Sequence, residues 1–161
     1  MKFWFWMLLV FGLIPACQSE AQPESAPTVV AEKPDESFRL ALEEHLAAVA
    51  AKDFDRLKMT VPQSGELVWV LPNGASFMKA EEFLQNHQEW FQDTSWTMTT
   101  QILQANWGQD HGTALVEADL REPERNGKPY FHRMFISYGL ERSNGRWQVV
   151  LDHASTIEKS E

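Results

Sequence analysis

The feature that most constrains this chain is a change in apolar period near residue 94. In 38–49 and again in 83–91, apolar side chains recur every three to four residues. From Ser95 onward they alternate singly, and the alternation is cut by Asn126-Gly127 and Asn144-Gly145. Helical stripes followed by period-two runs joined through Asn-Gly pairs predict helices first, then antiparallel strands linked by hairpins. The expected class is α+β, with the helices packed on one side of a curved sheet.

Ser37 is a plausible cap for a first helix, which carries Phe38, Leu42, His45, Leu46 and Val49 on one stripe and runs to Lys52. Asp53 caps a short second helix through about Met59. Glu66 to Leu71 reads as a strand and Pro72-Asn73-Gly74 as a turn. Lys79 to Gln92 is a third helix, with Phe83, Leu84, His87, Trp90 and Phe91 on one stripe. In the strand over 129–142, Tyr130, His132, Met134, Ile136, Tyr138 and Leu140 share a face. In the last strand, 146–155, strict alternation puts Trp147, Val149, Leu151 and His153 together. Asp152 then points the other way, so it forms no dyad with His153.

The N-terminus has a different character. Lys2 precedes an apolar run from Phe3 to Ile14, which ends in Pro15-Ala16-Cys17. The run is shorter than the about 20 residues a membrane-spanning helix needs, and it has the flanks of a signal-peptide core. Ile-Pro-Ala-Cys resembles a bacterial lipobox, although Pro15 departs from the usual small or β-branched residue. The resemblance implies cleavage after Ala16 and lipid on Cys17, hence anchoring in the cell envelope; a plain secretory peptide is the other reading. Gln18 follows where an aspartate often signals inner-membrane retention, so the periplasmic side of an outer membrane is favoured if two membranes exist. Residues 17–36, rich in proline and acid, read as a disordered tether, and residues 37–161 as the single folded domain.

A hydrophobic content of 43% excludes global disorder, and a net charge of −9 argues against a nucleic-acid partner. One cysteine excludes an intrachain disulfide or a Cys-rich metal site. No Gly-rich phosphate loop or Gly-x-Ser-x-Gly occurs.

Three stretches carry a further resemblance: Glu44 to Leu57 (EHLAAVAAKDFDRL), the strand that ends in Pro72-Asn73-Gly74, and Arg146 to Ser155 (RWQVVLDHAS). Together they resemble the NTF2-like superfamily, and within it the SnoaL-like and ketosteroid-isomerase-like domains, over roughly residues 37–156. The resemblance implies a cone: a strongly curved antiparallel sheet packed on three N-terminal helices, with a pocket in its wide end. It also implies frequent homodimers through the convex sheet face. By motif position the proton-abstracting carboxylate of the isomerases falls on Leu71, which takes no proton, and the oxyanion donor falls on His45. The assisting aspartate falls near Ser137. With the base position occupied by Leu71, the expectation leans away from catalysis.

The pocket is expected to be lined by His45, Trp69, His87, Trp90, Tyr138 and His153 and to bind a small apolar ligand, or else the domain engages a protein partner. An enzyme using His45 and His153 as acid and base is the alternative. The three histidines have no compact metal-binding spacing, so they read as packed core residues, and no metal or cofactor is expected. Glu117, Asp119 and Arg133 read as a cross-strand-paired outer face.

Overall fold

The computed structural model describes residues 36–161. The signal sequence, the lipobox with Cys17 and most of the tether lie outside the described residues. Helix α1 (Ser37–Ala51) buries Phe38, Leu42, His45, Leu46 and Val49, the predicted stripe. Ser37 is its first turn and not its cap. The Ser37 hydroxyl instead accepts hydrogen bonds from Arg142 and from the Trp147 indole at 3.0 and 2.9 Å, tying the helix to the sheet. Helix α1 stops at Lys52, which is left-handed at φ 55°, with the Asp53 amide returning to Ala48 O at 2.9 Å. A lysine in that conformation is unfavourable relative to glycine. Here its ammonium donates to Trp96 O at 2.6 Å and lies 3.8 Å from the Trp96 ring centroid, which holds it in place.

Asp53 accepts from the Arg56 amide and caps α2 (Phe54–Thr60), as expected. Strand β1 (Glu66–Val70) turns through Pro72-Asn73-Gly74 into β2 (Ser76–Lys79), a strand too short and polar to announce itself in the sequence, and α3 (Ala80–Trp90) follows. The long strands are β3 (Thr97–Trp107), β4 (His111–Arg125), β5 (Lys128–Ser143) and β6 (Arg146–Lys159).

The sheet order is β2-β1-β6-β5-β4-β3. All neighbours are antiparallel except β1 and β6, which pair in parallel, with Trp69 opposite Asp152. The consecutive strands β3 to β6 pair antiparallel as expected, and the long-range β1–β6 contact adds one parallel pair. It brings the first and last strands side by side and so builds the pocket wall. The six strands curve over the three helices as a cone, the α+β architecture anticipated above. Trp96, Phe38, Phe83, Leu42, Leu57 and Val116 fill its closed part.

The most consequential departure lies in β6. Gly139 pairs with Leu151, but Leu140 pairs with Val149, so Val150 is an extra residue in a β-bulge. One inserted residue reverses the parity of everything beyond it. Asp152 and Ala154 therefore face inward and are buried, while His153 is exposed on the outer face opposite Ser137. The expected inward His153 and outward Asp152 are thus exchanged. The sequence carried two marks of this bulge. Val149-Val150-Leu151 breaks the alternation with three apolar residues in a row, and Gly139 sits across from it. A Cβ there would stand 3.0 Å from the Leu151 Cβ.

Candidate functional site

A cavity of about 570 Å³ occupies the wide end of the cone. Its interior is mainly apolar: Val49 from α1, Trp69 from β1, Trp90 from α3, Met98 and Leu120 from β3 and β4, and Met134, Ile136 and Ala154 from β5 and β6. The exposed lining residues Asn73, Arg125, Thr156 and Lys159 mark its mouth. The turn that carries Asn73 is fixed by Gly74 N to Leu71 O at 2.9 Å and by Ala75 N to Asn73 Oδ1 at 3.0 Å. Arg125 is clasped by Glu122, with Nε to Oε2 at 2.8 Å, and lies over the Tyr130 ring.

Among the described residues that line the cavity there is a single carboxyl, Asp152, which faces Tyr138 across the β5–β6 pair. Burial pushes the Asp152 carboxyl up to about 7, and the Tyr138 hydroxyl, donating to it, only partly offsets that cost. The same burial, with the neighbouring carboxylate, holds the Tyr138 phenol well above its ordinary range. The phenol thus remains a donor, and the carboxyl is divided between its acid and carboxylate forms near neutrality. That is the condition a general acid–base needs.

The histidines have fixed tautomers. Nδ1 of His87 lies 2.8 Å from the carbonyl of Phe83, which only accepts, so Nδ1 carries the proton and Nε2 carries the lone pair. Burial lowers this ring to about 4, leaving it neutral. Nδ1 of His45 lies 2.8 Å from Thr60 Oγ1, whose own proton goes to Leu57 O at 2.8 Å. Thr60 therefore accepts, and His45 is also a neutral Nδ1–H ring, lowered to about 3 by burial and by nearby His87. Its Nε2 is sealed in the core without a partner.

Of the residues expected at the pocket, Trp69, His87, Trp90 and Tyr138 line it. His45 does not; it lies behind Tyr138, ring centroids 5.4 Å apart, and spends its N–H on Thr60. His153 is outside, so the His45–His153 pair is not assembled. Leu71 lines the cavity but remains without a titratable group. Asp152 is the cavity-lining candidate that strict alternation missed. Among the described residues, no group of three or more His, Cys, Asp and Glu is placed to hold a metal ion. Glu117 and Arg133 pair on the outer face at 2.6 Å, and Arg133 also meets Glu158 at 3.5 Å.

The comparisons with known proteins agree with the cone. A ketosteroid isomerase-like protein from Erwinia carotovora atroseptica superposes with a TM-score of 0.66 at 16% identity, covering 78% of this chain and 99% of that one. An LEH-like epoxide hydrolase of M. tuberculosis gives 0.56 at 15% identity, over 75% of this chain and 82% of the other. A type 2 hexachlorocyclohexane dehydrochlorinase gives 0.62 at 9% identity, over 77% and 85%. Such identities show a shared fold and leave chemistry to the site. No curated protein sequence matches significantly. The profile of the SnoaL-like domain matches residues 21–158, which takes in all three helices and nearly the whole sheet, and on that match the chain belongs to the SnoaL-like domain family of the NTF2-like fold.

Proposed function

We propose that the cavity binds a small, mostly apolar molecule and carries out proton transfer on it, with Asp152 as acid–base and Tyr138 as its hydrogen-bonding partner. One observation carries this reading: among the described residues, Asp152 is the single carboxyl lining the cavity, it is buried beside Tyr138, and burial raises it to about 7. The solved enzymes of the same fold are consistent with it. A generic probe tests it: 5-nitrobenzisoxazole, whose ring opens when a base removes one proton. A rate above buffer that rises with pH through about 7 and disappears in Asp152→Asn supports the proposal. No rate above buffer, or a rate retained by Asp152→Asn, defeats the acid–base role.

Binding without turnover is the second reading. It draws support from Leu71 at the isomerase base position and from the two histidines, both of which spend their N–H on protein and offer no donor to a developing oxyanion. Native mass spectrometry that finds a co-purifying ligand, together with an inert proton-transfer probe, selects this reading.

In the cell the domain is held at the envelope by lipid on Cys17, as the lipobox resemblance implies. Its convex face serves as a homodimer contact. Exposed Phe135, paired opposite Glu117, lies on that side among the charges of Glu117, Arg133 and Glu158.

A further inference from the structure

The tautomer of His87 carries information about the ligand. Its ring stands in the cavity wall between Trp69, with centroids 5.0 Å apart, and Trp90, at 5.6 Å. The Nδ1–H is committed to Phe83 O, four residues back on the same helix, so the ring is locked and cannot flip without losing that bond. Nε2 has no described protein partner and, unlike the sealed Nε2 of His45, is not closed off from the cavity. A buried acceptor left open in a pocket penalises any occupant that cannot satisfy it.

We infer that the molecule taken up here brings a hydrogen-bond donor, an alcohol, phenol, enol or N–H group, to Nε2 of His87, with its ring or chain packed against Trp69 and Trp90. The inference rests on the reading that the cavity takes a small apolar molecule, and it adds the polar group that molecule must carry. Ethers, esters and halides of the same shape are disfavoured, because they present only acceptors to an acceptor. A site built around such a bond rejects the analogue lacking it far more strongly than a pocket rejects a missing methylene.

The test compares 2-naphthol with 2-methoxynaphthalene, which share the aromatic body and differ in the donor. Affinities are measured by calorimetry on the detergent-free full chain. Wild type is expected to prefer the naphthol by about tenfold or more, the factor a lost hydrogen bond to a buried acceptor produces. In His87→Phe the preference falls to near unity while the methyl ether still binds. A second measurement needs no variant: the imidazole 15N resonance of His87 Nε2 in wild type moves upfield, as for a lone pair accepting a hydrogen bond, with naphthol and not with the ether. Equal affinities in wild type, an unmoved Nε2 resonance, or a preference that survives His87→Phe overturns the inference while leaving the cavity reading intact. Binding of neither compound overturns both.

Discussion

Replacing Asp152 by Asn gives the sharpest physical test of the site, because it separates a buried titrating carboxyl from an exposed one. The group rises from 3.8 in the unfolded chain to about 7 in the folded domain. Between those values the folded state holds a proton that the unfolded state has released. The contribution is fully present below 3.8 and is lost progressively as pH rises to about 7. Each pH unit across that window costs about 1.4 kcal/mol, so the whole shift amounts to about 4 kcal/mol. His45 and His87 act in the opposite sense. Their folded values of about 3 and about 4 lie below the ordinary 6.5, so both remove stability as pH falls below 6.5.

The wild-type profile therefore has a maximum near pH 6–7, where the opposing losses meet. Asparagine keeps an oxygen for the Tyr138 hydroxyl and cannot ionise. Subtracting wild type from Asp152→Asn cancels the histidines and leaves the carboxyl alone. At pH 5 the carboxyl has already cost wild type part of that window, so urea unfolding should find the variant ahead by about 1–2 kcal/mol. By pH 8 the variant should have gained about 3 kcal/mol more on wild type, a midpoint shift of about 1–2 M. A stability difference that stays flat from pH 5 to pH 8 would refute the inward placement of Asp152, and with it the bulge at Val150.

His45→Phe removes a ring nitrogen that has no partner and leaves the Thr60 hydroxyl bonded to Leu57 O, so stability at pH 7 should change by no more than about 1 kcal/mol, with a gain at acid pH. Ligand affinity should be unchanged because His45 is outside the cavity; calorimetry with 2-naphthol checks this. Gly112→Ala would place a Cβ 2.3 Å from Phe38 Cε2, beneath the stack of Phe38 on Trp107, and should cost about 1–3 kcal/mol in urea unfolding. Cys17→Ser should release the protein from the membrane fraction or stall it as an uncleaved precursor; a processed, membrane-retained variant would exclude the lipid anchor. Phe135→Glu should convert a homodimer into a monomer by light scattering without lowering the melting temperature, and a wild type that is already monomeric at tens of micromolar would exclude the convex-face contact.

The sequence alone determined the elements and their order. Helix α1 announced itself through Phe38, Leu42, Leu46 and Val49, the Asp53 cap through its position before Phe54, and the hairpins through Asn126-Gly127 and Asn144-Gly145, whose asparagines adopt φ near 56° and 51°. These are local properties: a side-chain period, a capping oxygen and a left-handed turn are set by a few neighbouring residues. The sequence also placed Trp69, His87, Trp90 and Tyr138 at the pocket, because each keeps the period of its own strand or helix. It could not show that β1 lies parallel to β6, since a pairing between residues 68–70 and 151–153 leaves no mark at short range. Only the tertiary structure decided which of Asp152 and His153 enters the cavity. Strand parity is conserved only while the register is unbroken, and the register breaks at Val150, where Gly139 lets Leu151 approach. A displacement of one residue in β6 turned an acidic side chain out of water and into an apolar chamber, and burial there gave it the pKa on which the proposed chemistry depends.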